Sequence, residues 1–178
     1  DLPPLAHLSN ALLDRFGGLD ILVGAAGYLG QLMPLGQSDF KVIERSMTIN
    51  YAANMMLIQS LDSMLRNSKQ GRAVFVTCQA GNAPKPFWGS YGASKAALNL
   101  AVQCYAKEVQ KTNLKVNLYD PGPLPTELRK AAMPGEDRSV LPLIEPVAQD
   151  LLHLCHSGCE TNGMLHRYGE AGTGHGGL

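Results

Sequence analysis

Short apolar runs alternate with longer stretches of helical spacing along this chain. "LSNALLDRF" carries the helical period and stops at Gly17-Gly18. "LDILVGAAG" follows as an apolar run ending in small residues, the pattern of a buried strand centred on Asp20 to Val23. From about 38 to 66 the spacing is helical again, with Ile43, Met47, Met55, Ile58, Leu61 and Leu65 as expected core positions. "RAVFVT" reads as the next buried strand, then the Gly/Pro-rich loop "AGNAPKPFWG", then a second long helix from about 90 to 111. "LKVNLYDPG" is a third strand ending in a turn. "TELRKAAMPGEDRSVLPLIEP" reads as a loop with a short helix, "EPVAQDLLHLCHS" as a helix, "GMLHRYG" as a last strand, and "EAGTGHGGL" as a Gly-rich tail over 169 to 178.

Alternating strands and helices with continuously apolar strands predict an α/β fold, a doubly wound parallel sheet covered on both faces. No repeat or linker divides residues 1 to 168, so they read as one domain. In such sheets ligands bind beyond the carboxyl ends of the strands. The loops "GAAGYLG", "CQAGNAP" and "DPGPLPT" all follow strands there.

Composition narrows the partners. The 178 residues are 45% hydrophobic and 17% charged, as in a globular domain. Fifteen basic side chains balance fifteen acidic ones, so no excess positive charge is available for phosphates, and nucleic acid and anionic membranes are not expected partners. No run is long and apolar enough to span a bilayer, and "DLPPLAHL" lacks the regions of a signal peptide. Cys78, Cys104, Cys155 and Cys159 follow no disulfide or zinc spacing, which suits a reducing compartment, and a soluble cytoplasmic protein is expected. "HLCHSGC" gathers two histidines and two cysteines, but a helix ending at Gly158 accounts for it and no metal is expected.

The chemistry begins in "SYGASKAALNLAVQCYAKEV". Tyr91 and Lys95 are one helical turn apart, so they share a face. A fixed ammonium beside a phenol favours the phenolate and lowers its pKa, which suits a tyrosine for general acid–base work. The alternative is one polar turn of an amphipathic helix shown to water.

Several motifs in order resemble the short-chain dehydrogenases/reductases. "YGASK" is similar to that family's Tyr-x-x-x-Lys motif, "LDILVGAAG" to its "D-x-L-V-N-N-A-G" strand, and "TINYAAN" to the segment of its catalytic Asn, here Asn50. "VNLYDPGPLPTEL" resembles its Pro-Gly motif with the following Thr, here Thr126, and "GMLHRYG" its final strand. The resemblance implies a Rossmann-like fold and an NAD(P)-dependent oxidoreductase that interconverts an alcohol and a carbonyl in a small molecule. It gives Tyr91 the proton transfer and Lys95 the tuning of Tyr91 and a bond to the nicotinamide ribose. Asn50 would sit in a helix irregularity and hold a water reaching Lys95. Pro121, Gly122, Leu124 and Thr126 would line the nicotinamide, and Gly27 would let the cofactor approach the backbone. The family pairs its two long helices across a two-fold axis, which implies a homodimer or homotetramer. The choice between NAD and NADP stays open.

The chain departs from the family in three places. The paired asparagines after the first strand are Gly24-Ala25, so a polar tie between strands is expected to be missing. The catalytic serine position is Cys78, and Thr77 cannot replace it because adjacent strand residues face opposite ways. The Gly-rich phosphate turn and the family's first three strands have no counterpart. In the family's strand order, 3-2-1-4-5-6-7, this chain supplies the half made of strands 4, 5, 6 and 7. The expectation is therefore the C-terminal part of a longer protein, with the Asp20–Val23 strand presenting an apolar edge. A substrate pocket walled by Leu32, Met33, Phe87, Trp88 and the 127 to 146 loop is expected, without a fixed charge. The alternative function is a catalytically silent homologue acting as a binding or assembly module, which Cys78 and Gly24-Ala25 favour; an epimerase or lyase using the same Tyr and Lys is a third reading.

Overall fold

Four strands, β1 (Ile21–Gly24), β2 (Arg72–Val76), β3 (Lys115–Asp120) and β4 (Leu165–Arg167), form one sheet in chain order in the computed structural model, which describes residues 5–170. Every neighbouring pair is parallel, with Ile21 opposite Arg72, Arg72 opposite Lys115 and Leu118 opposite Leu165. The helices are α1 (Ala6–Phe16), α2 (Phe40–Met47), α3 (Ala53–Asn67), α4 (Gly89–Glu108), α5 (Glu127–Ala132) and α6 (Ile144–Cys155). The expected half-Rossmann sheet is therefore present. The tail from 171 onward and the first four residues lie outside the described residues.

Alternate residues of each buried strand feed different cores, as the two-residue period requires. Ala73, Phe75, Val116 and Leu118 pack against Leu61 and Leu65 of α3 and Leu98 and Val102 of α4. Val74 and Tyr119 face the other way, onto Val147, Leu154 and Cys155 of α6. Each fully buried Leu or Val contributes about 1.5–3 kcal/mol through the apolar surface it removes from water. At the open edge, Leu22 of β1 is buried, whereas Ile21 and Val23 are 45% and 40% exposed.

Arg72, at the foot of β2, is buried without a carboxylate. Its guanidinium donates to the carbonyls of His156 (3.1 Å), Gly71 (2.8 Å), Asn113 (3.3 Å) and Ser157 (2.5 Å). One side chain thus ties the end of α6 and the approach to β3 onto β2.

The long helical pattern from 38 to 66 is not one regular helix. Asp39 caps α2 by accepting from the Lys41 N–H at 2.9 Å, and a π-helical turn, Thr48–Ala52, separates α2 from α3. Leu61 and Leu65 are core residues as expected, but Ile43, Met47, Met55 and Ile58 are only half-buried. The fully enclosed line further up is polar instead: Ser46, Asn50 and Asn54, each four residues apart. The second long helix stops at Glu108, three residues earlier than the pattern suggested, and the chain turns through Val109.

Candidate active site

α4 buries Tyr91, Ser94, Lys95, Leu98, Asn99, Val102, Tyr105 and Ala106 along one face. The lower half of this stripe fills the core; its first two turns are polar and close the carboxyl end of the sheet. Gly92 allows the close fit there, since a Cβ on it would lie 2.8 Å from the Ala80 carbonyl oxygen. The loop after β2 therefore presses on α4 and delivers Cys78, whose thiol donates to the Tyr91 hydroxyl at 3.6 Å. Thr77 also meets α4, two turns further along, and donates to Asn99 Oδ1 at 2.5 Å.

Lys95 and Tyr91 share the helix face but not a hydrogen bond. Lys95 Nζ donates to the Val76 carbonyl at 3.0 Å and stands 5.9 Å from the Tyr91 ring centroid. The expected lowering of the phenol pKa is therefore corrected. Burial pushes Tyr91 above its ordinary range, and Cys78 and then Asp120 push the same way. Burial also lowers Lys95, opposed by Cys78 and Asp120. The phenol is kept as a phenol.

Asn50 lies in the π-helical turn, fully enclosed, and spends its side chain on structure. Its Oδ1 accepts from the Tyr28 N–H at 2.7 Å, and its Nδ2 donates to the Tyr28 carbonyl at 2.9 Å and to Ser94 Oγ at 2.8 Å. Ser94 Oγ in turn donates to the Tyr91 carbonyl at 2.7 Å. One chain of bonds thus joins the loop after β1, the π turn and the head of α4.

No side-chain tie between strands stands at Gly24 among the described hydrogen bonds, and the space there is filled from α3. Asn54 Nδ2 donates to the Asn50 carbonyl at 2.9 Å, and a Cβ on Gly24 would meet Asn54 Oδ1 at 2.5 Å and the Phe75 ring at 2.6 Å. The glycine makes room for an asparagine supplied by α3. Ser94, Asn54 and Asn99 were missed because a buried polar helix position reads, in sequence, as an exposed one. The i, i+4 spacing of Asn54 from Asn50 and of Asn99 from Lys95 was the available signal.

A cleft of about 1150 Å³ opens over these residues. Cys78, Tyr91 and Lys95 line it, as do Gly27, Pro121, Gly122, Leu124 and Thr126; Asn50 supports it from below. Thr126 Oγ1 also caps α5 by accepting from the Arg129 N–H at 3.2 Å. Of the expected walls, Trp88 and, from the 127 to 146 segment, Leu128 and Ala132 line the cleft, whereas Leu32, Met33 and Phe87 do not. Phe87 is turned outward, 59% exposed, by a left-handed φ of 72°, and its carbonyl accepts from the Met33 N–H at 3.2 Å. Charge also enters where none was expected. Lys85 sits over the Trp88 ring at 4.5 Å, and Arg129 is clamped by Glu136 at 2.6 Å.

The set fits the nicotinamide half of a dinucleotide: a small residue, a Pro-Gly turn and a buried ammonium with two N–H donors left after Val76. Among the described residues no helix is long and apolar enough to cross a membrane, and no group of three His, Cys, Asp or Glu is placed to hold a metal ion.

A family model described as short chain dehydrogenase matches residues 4–137. The uncharacterized oxidoreductase YciK of Escherichia coli K12 is 34% identical over 131 residues, covering 74% of this chain and 52% of that protein. The vibriobactin-specific 2,3-dihydro-2,3-dihydroxybenzoate dehydrogenase of Vibrio cholerae is 31% identical, covering 68% of this chain and 46% of that protein. This chain therefore spans about half the length of those curated relatives. Among solved structures, a short chain dehydrogenase from Escherichia coli CFT073 in complex with NADPH superposes with a TM-score of 0.87 at 30% identity, covering 93% of this chain and 72% of that one. One from Shigella flexneri 2a in complex with NADP also gives 0.87 at 30% identity, with the same coverage of 93% and 72%. Fold, motif order and the family match agree: this chain belongs to the short-chain dehydrogenase/reductase family.

Proposed function

We propose that this chain carries the catalytic half of an NAD(P)-dependent oxidoreductase that interconverts an alcohol and a carbonyl in a small molecule, with Tyr91 as its general acid–base. The observation that carries the reading is the meeting of Tyr91, Cys78 and Lys95 on one cleft beyond the carboxyl ends of β2 and β3. The cofactor complexes of the relatives support a nicotinamide, NAD or NADP. When bound, the reduced nicotinamide supplies a hydride to the carbonyl carbon. Tyr91 donates its hydroxyl proton to the carbonyl oxygen, leaving an alcohol and a phenolate. Lys95 would turn its remaining N–H donors to the nicotinamide ribose, and Gly27, Pro121, Gly122, Leu124 and Thr126 would form the floor and wall for the ring. Asn50 holds the Tyr28 peptide and the head of α4 in place.

Cys78 occupies the position from which a donor reaches the substrate oxygen. A thiol forms a longer, weaker bond than a hydroxyl. Cys78→Ser is expected to raise turnover of accepted ketones by about tenfold, which corresponds to about 1.4 kcal/mol of barrier. The test is a carbonyl panel assayed with the full-length protein. A protein that binds a nicotinamide cofactor, yet reduces nothing either as wild type or as Cys78→Ser, belongs to the silent-module alternative.

We also propose a homodimer or a homotetramer built from it, through the outer faces of α3 and α4. Leu100 is 66% exposed, Cys104 is exposed, and Ala52, Ala53, Met56, Ala97 and Ala101 stay half-buried in the single chain. Sedimentation of dilute full-length protein is expected to show dimers or larger; monomers alone would overturn this.

A further inference from the structure

We propose that Lys85 sets the substrate class of this site: its ammonium, held over Trp88 in the cleft, takes the carboxylate of an oxo acid whose carbonyl is presented to Tyr91. The inference rests on the oxidoreductase reading and names the substrate group that reading leaves open.

A stiff turn holds Lys85 in place. It stands between Pro84 and Pro86, and the Trp88 N–H donates to its carbonyl at 3.2 Å, closing a β-turn with Pro86 and Phe87 as the central residues. Phe87 has a φ of 72°. Proline confines the first central residue to negative φ, so the turn is of type II, whose second central position favours glycine. A phenylalanine there is strained, and its ring, 59% exposed, gains little from burial. The neighbours impose the turn from outside. The Met33 N–H donates to the Phe87 carbonyl at 3.2 Å, and Leu35 fills the space at Gly89, where a Cβ would lie 2.8 Å from Leu35 Cδ1. Backbone strain maintained in this way clusters at ligand clamps. Here it folds Lys85 back onto Trp88, with Nζ 4.5 Å from the ring centroid. Trp88 in turn meets Tyr91 with ring centroids 5.9 Å apart, so one indole is the neighbour of both the cation and the phenol.

The charge on Lys85 is unpaired. Of the other cations lining the cleft, Arg129 binds both carboxylate oxygens of Glu136, at 2.6 and 2.5 Å. Arg167 is shared by Glu170 at 3.4 Å and Asp120 at 4.0 Å, and Lys95 donates to the Val76 carbonyl at 3.0 Å. Among the described residues Lys85 Nζ forms no ion pair and no hydrogen bond; the indole face attracts the cation and leaves its N–H donors for a ligand. Between the two polar ends the wall is apolar, since Tyr91 and Ala132 form one cluster with Trp88 and Leu128 packed against it. A carbonyl at Tyr91, an apolar body and one negative charge at Lys85 therefore describe the substrate. A single unpaired cation matches a singly charged carboxylate.

The test uses full-length protein and matched pairs of carbonyl compounds, each an oxo acid and its methyl ester. The readout is the ratio of kcat/KM for acid over ester. Wild type is expected to favour the acid by about tenfold or more, the size of one hydrogen bond to a charged group. Lys85→Met, which keeps an apolar stem against Trp88, is expected to lower the ratio about tenfold, Lys85→Arg to keep most of it and Lys85→Glu to invert it. Binding is read without turnover through Trp88, the single tryptophan of these 178 residues, as fluorescence quenching by benzoate against benzamide, corrected with Trp88→Phe. Benzoate is expected to bind more tightly than benzamide, and Lys85→Met to remove the difference. A wild-type ratio near one, or an equal loss on acid and ester in Lys85→Met, would overturn the proposal while the oxidoreductase reading stands. If no carbonyl compound is reduced, the oxidoreductase reading falls, and the benzoate titration alone decides whether Lys85 holds a carboxylate.

Discussion

Tyr91→Phe is expected to fold normally and to lose turnover by about 10²–10⁴-fold, the usual contribution of a positioned general acid or base. The substitution removes one oxygen. Folding should change by less than about 1 kcal/mol, because the hydroxyl's only described partner is the weakly donating Cys78 thiol at 3.6 Å. The ring would remain against Trp88, and the Ser94 hydroxyl donates to the Tyr91 backbone carbonyl, which the substitution leaves in place. Steady-state rates of full-length wild type and variant, with unfolding midpoints measured alongside, check both halves. A variant retaining wild-type turnover would reduce Tyr91 and Lys95 to a polar helix start.

Arg72→Met is expected to destabilise the fold by about 3 kcal/mol without touching the cleft. Methionine roughly preserves the stem but donates nothing to the four carbonyls that the guanidinium joins. The Gly71 carbonyl keeps the Lys115 N–H and the His156 carbonyl keeps the Cys159 N–H. Asn113 and Ser157 have no other donor among the described hydrogen bonds, and each lost bond to a charged donor is worth about 1.5–3 kcal/mol. Denaturant unfolding with an unchanged slope and a lower midpoint would show this. A midpoint equal to wild type would mean that water replaces the guanidinium.

The two variants separate what patterning can say from what it cannot. Tyr91 announces itself through its spacing from Lys95 and the small residues between them. Arg72 reads in sequence as the polar residue that opens a strand, and nothing nearby signals that it is enclosed by four carbonyls. Asp120 is similar: "DPG" reads as a turn, and only the fold encloses its carboxylate, which is 4% exposed and accepts from the Gly122 N–H.

The sequence by itself determined the element order, the parallel sheet, and the family, because strand and helix periods and the order of short motifs are local properties that survive without coordinates. It also placed Cys78, Tyr91, Lys95, Gly27 and the Pro121-Gly122 turn near one end of the sheet, since loops after parallel strands all emerge there. Tertiary structure alone decided which polar residues lie inside. Ser46, Asn50 and Asn54 occupy inward positions that apolar patterning assigned to Ile43, Met47 and Met55, because the π-helical turn belongs to the path of the backbone and shifts the phase of the helix face. It also decided the direction in which Tyr91 is shifted: burial among residues far apart in the chain, with Cys78 and then Asp120, raises its pKa, where spacing alone assigned a lowering to the lysine.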